Sequence, residues 1–405
     1  MPPHDHQSDR LRPPIRRRLP APAYKPAPKY SEFLLRMLAR AKESLGEEFK
    51  GITADGTVQP GLFAVRKTGV SLEPALRAAH DFLGTLDSLQ RRQVSFDMES
   101  DAWRSWSNVH PFLTRHGLGL HELAPAPRAA ALTLVSSALS TSGFETARNV
   151  MKLNEHACEL TGLVEEYGEW YYWLSIFGTP SATEPWGWQF DGHHLIINCF
   201  ILGDQMVLTP QFMGSEPVFA ESGKYVGTHV FRAEESVGLA LMCGLTPEQQ
   251  RMAIIDTRLP HEALTAAYND NVRLRYEGIP YRDLTPDQQI ALRDLISVYL
   301  HRARPGHAEI QIEEVFAHLD NTHFAWIGAN DDHGAFYYRI HNPVLLIEFD
   351  HQPGILYAND EPTRDHIHTV VRTPNGNDYG KDLLRQHYAR HDHSHPRTAH
   401  RLGIE

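Results

Sequence analysis

Apolar positions recur at helical spacing through the first part of the chain and at strand spacing through most of the rest. Residues 31–48 place Phe33, Leu34, Met37, Leu38, Ala41 and Leu45 along one face. Residues 72–97 continue with Leu76, Ala79, Phe82, Leu83, Leu86 and Leu89. Residues 127–140 and 144–163 keep the same period, and Ser142-Gly143 reads as the break between them. From Trp170 the pattern shortens. Residues 171–177, 188–202, 205–212, 323–328, 335–340, 344–350 and 366–372 are branched or aromatic runs bounded by Gly, Asp, Asn or Pro, as strands are. Gly203-Asp204 and His341-Asn342-Pro343 are hairpin signals. Residues 233–244, 247–255 and 286–299 read as helices, two of them opened by Thr246-Pro247 and Thr285-Pro286.

These elements predict an α+β fold with an N-terminal helical layer packed on a mixed, mainly antiparallel β-sheet. The expected organisation is a basic, proline-rich tail over 1–29, the helical layer over 30–168, a β-rich region with inserted helices over 169–388, and a histidine-rich tail over 389–405. Both tails are too poor in apolar residues to offset their ordering entropy, so disorder is expected there. No repeat with a fixed period is visible, although the two histidine-bearing strand groups are candidates for a diverged pair.

Composition narrows the partners. A formal charge of −11 argues against nucleic acid, which demands a basic field. No apolar run approaches the roughly 18 residues of a membrane helix, so no membrane partner is expected. Cys158, Cys199 and Cys243 are widely spaced, form no disulfide framework, and fit free thiols in a reducing cytoplasm.

Histidine is the outlier, with 25 copies. His193 and His194 follow Gly192 at the head of an extended apolar run, and His366 and His368 recur far downstream in D-H-I-H-T-V-V-R. Neutral imidazole is the commonest side-chain metal ligand, and an H-x-H pair on one strand face can converge on a single ion. The expected cofactor is one divalent transition metal, with iron, copper, manganese and zinc all acceptable to imidazole and carboxylate. The ligand candidates are His193 or His194, His366, His368 and Glu348. If the strand is regular, His193 and His194 face opposite ways, and only one joins the pair.

Glu348 interrupts the apolar run V-L-L-I-E-F-D. A carboxylate there is either a ligand or general base, or a buried partner of Arg339 or Arg372. Arg372 shares a strand face with His366 and His368, so Arg372 and Arg339 are candidates to hold a substrate carboxylate or oxyanion. Trp186 and Trp188 wall a pocket or simply pack; Arg104, Trp106 and Asn108 form a polar lid or anchor a helix end. G-x-G-x-x-G, G-x-x-x-x-G-K-[ST], G-x-S-x-G and H-E-x-x-H are all absent. The expectation is a metal-dependent enzyme acting on a small, anionic organic substrate, leaning towards an oxidoreductase. Metal-activated hydrolysis or elimination, and metal binding without catalysis, are the alternatives.

Five blocks carry a family resemblance: L-S-T-S-G-F-E-T-A-R-N-V-M-K-L-N-E, Y-W-L-S-I-F-G-T-P-S-A-T-E-P-W-G-W-Q-F-D-G-H-H-L-I-I-N, F-Y-Y-R-I-H-N-P-V-L-L-I-E-F-D, H-I-H-T-V-V-R-T-P-N-G-N-D-Y-G and D-L-L-R-Q-H-Y. Over residues 82–388 the chain resembles the bacterial and fungal family known as domain of unknown function 3500. Asp191 stands where a glutamate is expected and Asn342 where a glycine is usual. The resemblance implies membership and no chemistry.

Overall fold

The computed structural model describes residues 12–16, 32–108 and 115–391. After α1 (Glu32–Gly46) come α2 (Glu73–Gly84), α3 (Ser88–Val94) and β1 (Ser95–Phe96). Next are β2 (Leu118–Gly119), α4 (Pro125–Ser137), α5 (Thr141–Thr161), β3 (Tyr172–Gly178), β4 (Trp186–Gly192), β5 (Leu195–Leu202), β6 (Gln205–Val207) and β7 (Gln211–Ser215). The same succession then starts again with α6 (Arg232–Cys243), α7 (Pro247–Ala253), β8 (Ile254–Asp256), β9 (Ile279–Pro280), α8 (Pro286–Leu300) and α9 (His307–Phe316). It continues with β10 (His323–Gly328), β11 (Phe336–Asn342), β12 (Leu345–His351) and β13 (Ile367–Arg372), and α10 (Lys381–Arg390) closes the described chain.

All strands join one mixed sheet, in the order β1-β3-β4-β5-β7-β13-β12-β11-β10-β8. That order is a palindrome. β1 runs parallel to β3 as β8 does to β10, and β2 and β9 pair antiparallel with the same two strands. Gly178 faces Trp186 as Gly328 faces Phe336, and two-residue turns join Gly192 to Leu195 and Asn342 to Leu345. At the centre Gln211 pairs with Val371, one residue from each half. Residues 73–215 and 232–372 are therefore two copies of one unit about a pseudo-twofold axis between β7 and β13.

Local chemistry repeats as well. The Asp87 side chain caps α3 with a reciprocal Gln90, and Thr246 caps α7 with Gln249. Thr285 with Gln288 opens α8, and proline fills the first turn of α4, α7 and α8. Ser142-Gly143 is not the expected break: Ser140 caps α5, and Gly143 sits in its first turn, where an added Cβ would lie 2.2 Å from the Arg302 carbonyl oxygen.

The α+β class stands, but the helical layer is not confined to the N-terminal part. Both copies contribute helices to one face, where Phe82, Leu134, Val150, Met242, Leu292 and Val315 pack on Trp188, Ile197, Tyr338 and Ile347 in the main core. The opposite face has a smaller apolar cluster, with Trp103, Trp106, Ala263 and Leu383 from irregular segments and α10 over Ile196, Phe212 and Val370. This face also has buried polar positions, Asn198, Glu348, Asp350 and Arg372, and it holds the histidines. Of the two tails, residues 12–16 are described and pair with the loop after β12: Arg16 N–H donates to Leu356 O at 2.8 Å and Ala358 N–H to Pro14 O at 2.8 Å. Otherwise 1–29 lies outside the described residues, as does 392–405.

Candidate metal centre

His193 and His194 do not open a strand. They form the two-residue turn between β4 and β5, and His194 adopts φ +60°, a region uncommon for a residue with a Cβ. The turn is fixed from both sides, with His194 N–H on Asn108 O at 3.4 Å and Gly214 N–H on His194 O at 2.7 Å. His366 precedes β13 and His368 lies on it. Three Nε2 atoms converge: His366 to His368 at 3.0 Å, His368 to His194 at 3.1 Å and His366 to His194 at 3.3 Å. All three side chains are buried, and they form the one His/Cys/Asp/Glu group among the described residues arranged to hold an ion.

The surroundings orient these rings. His366 Nδ1 donates to Pro353 O at 2.7 Å, with Glu216 Oε2 3.6 Å from the same nitrogen, and in the neutral imidazole this arrangement leaves Nε2 as a lone-pair donor. Burial, with His366 and His194 beside it, drives His368 well below the usual imidazole range, so it is neutral and available for ligation. Gly214 faces His368 across the β7–β13 pair. A Cβ there would stand 2.7 Å from His368 Cδ2 and 3.3 Å from His194 Cδ2, so only glycine leaves room for both rings. His193 is turned away; its Nδ1 meets Asn154 Oδ1 at 2.8 Å.

Three other sequence candidates sit elsewhere. Glu348 is not brought to the imidazoles. Its carboxylate accepts from Leu264 N–H and Thr265 N–H at 2.9 Å each, from the Thr265 hydroxyl, and from Tyr337 OH at 2.8 Å. It ties the 263–266 segment to the sheet and has no lone pair directed at the triad. Arg372 shares the strand face as expected, but a strand rises about 3.3 Å per residue, which puts it some 13 Å from His368. Its nitrogens are taken by Asp378 Oδ2 at 2.7 Å, Asp270 Oδ1 at 2.6 Å and Thr265 O at 2.8 Å. Arg339 binds Glu277 Oε2 at 2.8 Å. The expected anion clamp is thus a set of internal ion pairs. Trp186 and Trp188 pack in the main core, and Arg104 pairs with Asp270 at 2.9 Å.

One residue passed over in the sequence lies beside the triad. Asp350 is on the same face of β12 as Glu348 and directly opposite His368. It is fully buried, and its Oδ2 accepts from Gln352 Nε2, while Oδ1 has no partner among the described residues. Burial, reinforced by the charges of Glu348 and Glu262, raises its carboxyl well above the usual range. Strand alternation places 348 and 350 on one face; only the cross-strand register selects Asp350.

Among the described residues no helix is long and apolar enough to cross a membrane. No curated protein and no solved structure matches the chain. A family profile described as "Protein of unknown function (DUF3500)" matches residues 68–381, which span both copies of the unit and all three converging histidines. The chain belongs to that family.

Proposed function

We propose that this protein is a mononuclear metal-dependent enzyme acting on a small organic substrate, with His194, His366 and His368 as the ligands of one divalent transition metal. The observation that carries the reading is the spacing of the three Nε2 atoms. An ion with bonds of about 2.1 Å spaces three nitrogens about 3.0 Å apart on an octahedral face and about 3.4 Å apart at tetrahedral corners. The distances of 3.0, 3.1 and 3.3 Å fall within that interval. Three ligands on one side of an ion leave positions open for water or substrate, as catalytic sites do. The metal would be iron, copper, manganese or zinc, and oxidation of the bound substrate is the leading reaction class. The free thiols of Cys158, Cys199 and Cys243 fit a reducing cytoplasm.

A second reading is metal-activated water for hydrolysis or elimination. Asp350 favours it, because a carboxylate oxygen without a partner among the described residues, beside the ligand set, is where a metal-bound water would find an acceptor. Metal analysis of the full chain beside the His194→Ala/His368→Ala variant tests the centre. One equivalent lost in the variant is expected, and equal content in both would remove the proposal. Metal-dependent oxygen consumption then separates oxidation from hydrolysis, since the hydrolytic reaction proceeds equally well without oxygen.

A further inference from the structure

The duplication supplies an internal control. In the second copy Asp350 on β12 pairs with His368, two residues after His366. In the first copy the corresponding ladder pairs Phe200 on β5 with Val207, two residues after Gln205. The second turn residue is His194 in one copy and Val344 in the other. The centre at His194, His366, His368 and Asp350 is therefore matched, across the pseudo-twofold axis, by Val344, Gln205, Val207 and Phe200. Gln205 there serves the chain itself: its Oε1 accepts from Arg66 N–H at 2.7 Å and its Nε2 donates to Ala64 O at 3.0 Å. On the same scaffold, the copy without imidazoles has a phenyl ring where the other has a buried carboxyl. Folding the unit does not require an acid at this position.

Three facts then bear on Asp350. Directly opposed side chains on antiparallel strands stand about 5 Å apart, so it adjoins His368. It is fully buried, and a buried oxygen without a partner is costly unless something absent from the protein chain fills it. The guanidinium groups nearest along the chain are spent, Arg372 on Asp270 and Asp378, and Arg364 on Glu235 and the Asp331 and Gly334 carbonyls. Among the described residues, the centre offers an acceptor and withholds these guanidinium groups.

Resting on the metal reading above, we propose that Asp350 Oδ1 accepts the hydrogen of a water or substrate hydroxyl bound on the ion, so that the centre selects hydroxyl-bearing ligands over bare anions. The expectation of an anionic substrate held by arginine is replaced by one of a hydroxyl compound held between metal and carboxyl.

The test uses full-length protein loaded with Co(II), whose visible spectrum reports its ligands, titrated with phenol (which carries the hydrogen) and with azide (which does not). Asp350→Leu should keep one equivalent of Co(II), bind phenol about tenfold more weakly and bind azide more tightly, because a buried hydrogen bond contributes about that factor and the lone pairs of an acceptor oxygen oppose an anion. Asp350→Asn keeps the shape, should change both affinities in the same directions, and serves as the test if the leucine variant does not fold. Equal shifts for the two probes, no shift for either, or loss of Co(II) on substitution would overturn the role assigned to Asp350. Failure of the unsubstituted protein to take up Co(II) would instead overturn the metal centre, and this proposal with it.

Discussion

The imidazole of His193 lies nearly flat on that of His194, with ring centroids 4.0 Å apart and planes 24° from parallel. Adjacent in sequence, the two rings divide the work, one turned into the triad and the other backing it through Asn154. His193→Ala should therefore retain the centre but lower metal affinity by about tenfold, the scale of effect seen when a ligand's support is removed. His194→Ala should abolish binding. Competition against a chelator of known affinity measures both, and equal losses would make His193 a ligand in its own right.

Gly214→Ala probes the space for the rings. The added Cβ would meet His368 Cδ2 at 2.7 Å and Ile367 O at 2.8 Å, and backbone atoms cannot rotate away. We expect loss of bound metal and about 1–3 kcal/mol of stability, the usual range for overpacking. Full metal content with unchanged denaturation would show that the strands part to accept it.

Arg372→Ala should fail as a protein before it fails as a catalyst. Asp378 would be left buried without its cation and Asp270 with Arg104 alone, at a cost of about 3–5 kcal/mol. Glu348→Ala strands two amides and two hydroxyls and should cost about 3 kcal/mol or more. Denaturant midpoints check both. Unchanged stability with altered substrate binding would return these residues to the site.

His341 predicts an acid limit. Burial, with Arg339 and His323 nearby, pushes it down to about 3, against a smaller opposing effect of the Arg275 backbone. An unfolded histidine titrates at about 6.5. The folded state thus disfavours the proton, so this contribution is intact above about 6.5 and is lost progressively as pH falls towards 3. His341→Phe, which keeps a ring against Tyr276, should flatten the fall in stability below pH 6.5. An unchanged slope would assign acid sensitivity to other groups.

The period of apolar residues disclosed the α+β class, most strands and the helix starts at Thr246 and Thr285, because local propensity and burial agree there. It ran straight through the turn at His193-His194, since branched residues follow at once and nothing in two histidines announces a positive φ. The H-x-H pair at 366 and 368 was legible as a chelate. The choice between His193 and His194 depended on one backbone torsion, and that between Glu348 and Asp350 on register between strands. The duplication left no fixed period and only a hint in the two histidine-bearing strand groups, because the copies share element order and few side chains: Trp186, Gly187 and Trp188 answer to Phe336, Tyr337 and Tyr338. Burial, not identity, is what the two copies have kept.

Because His194 comes from the first copy and His366 and His368 from the second, 172 residues separate His194 from His366. A chain still emerging from the ribosome has His194 long before it has β13. Contacts of such long range close late, after the loop entropy between them has been overcome. On the proposed reading, an ion would enter a finished protein rather than nucleate this fold, and metal supply would govern how many mature molecules are active without governing how many are made.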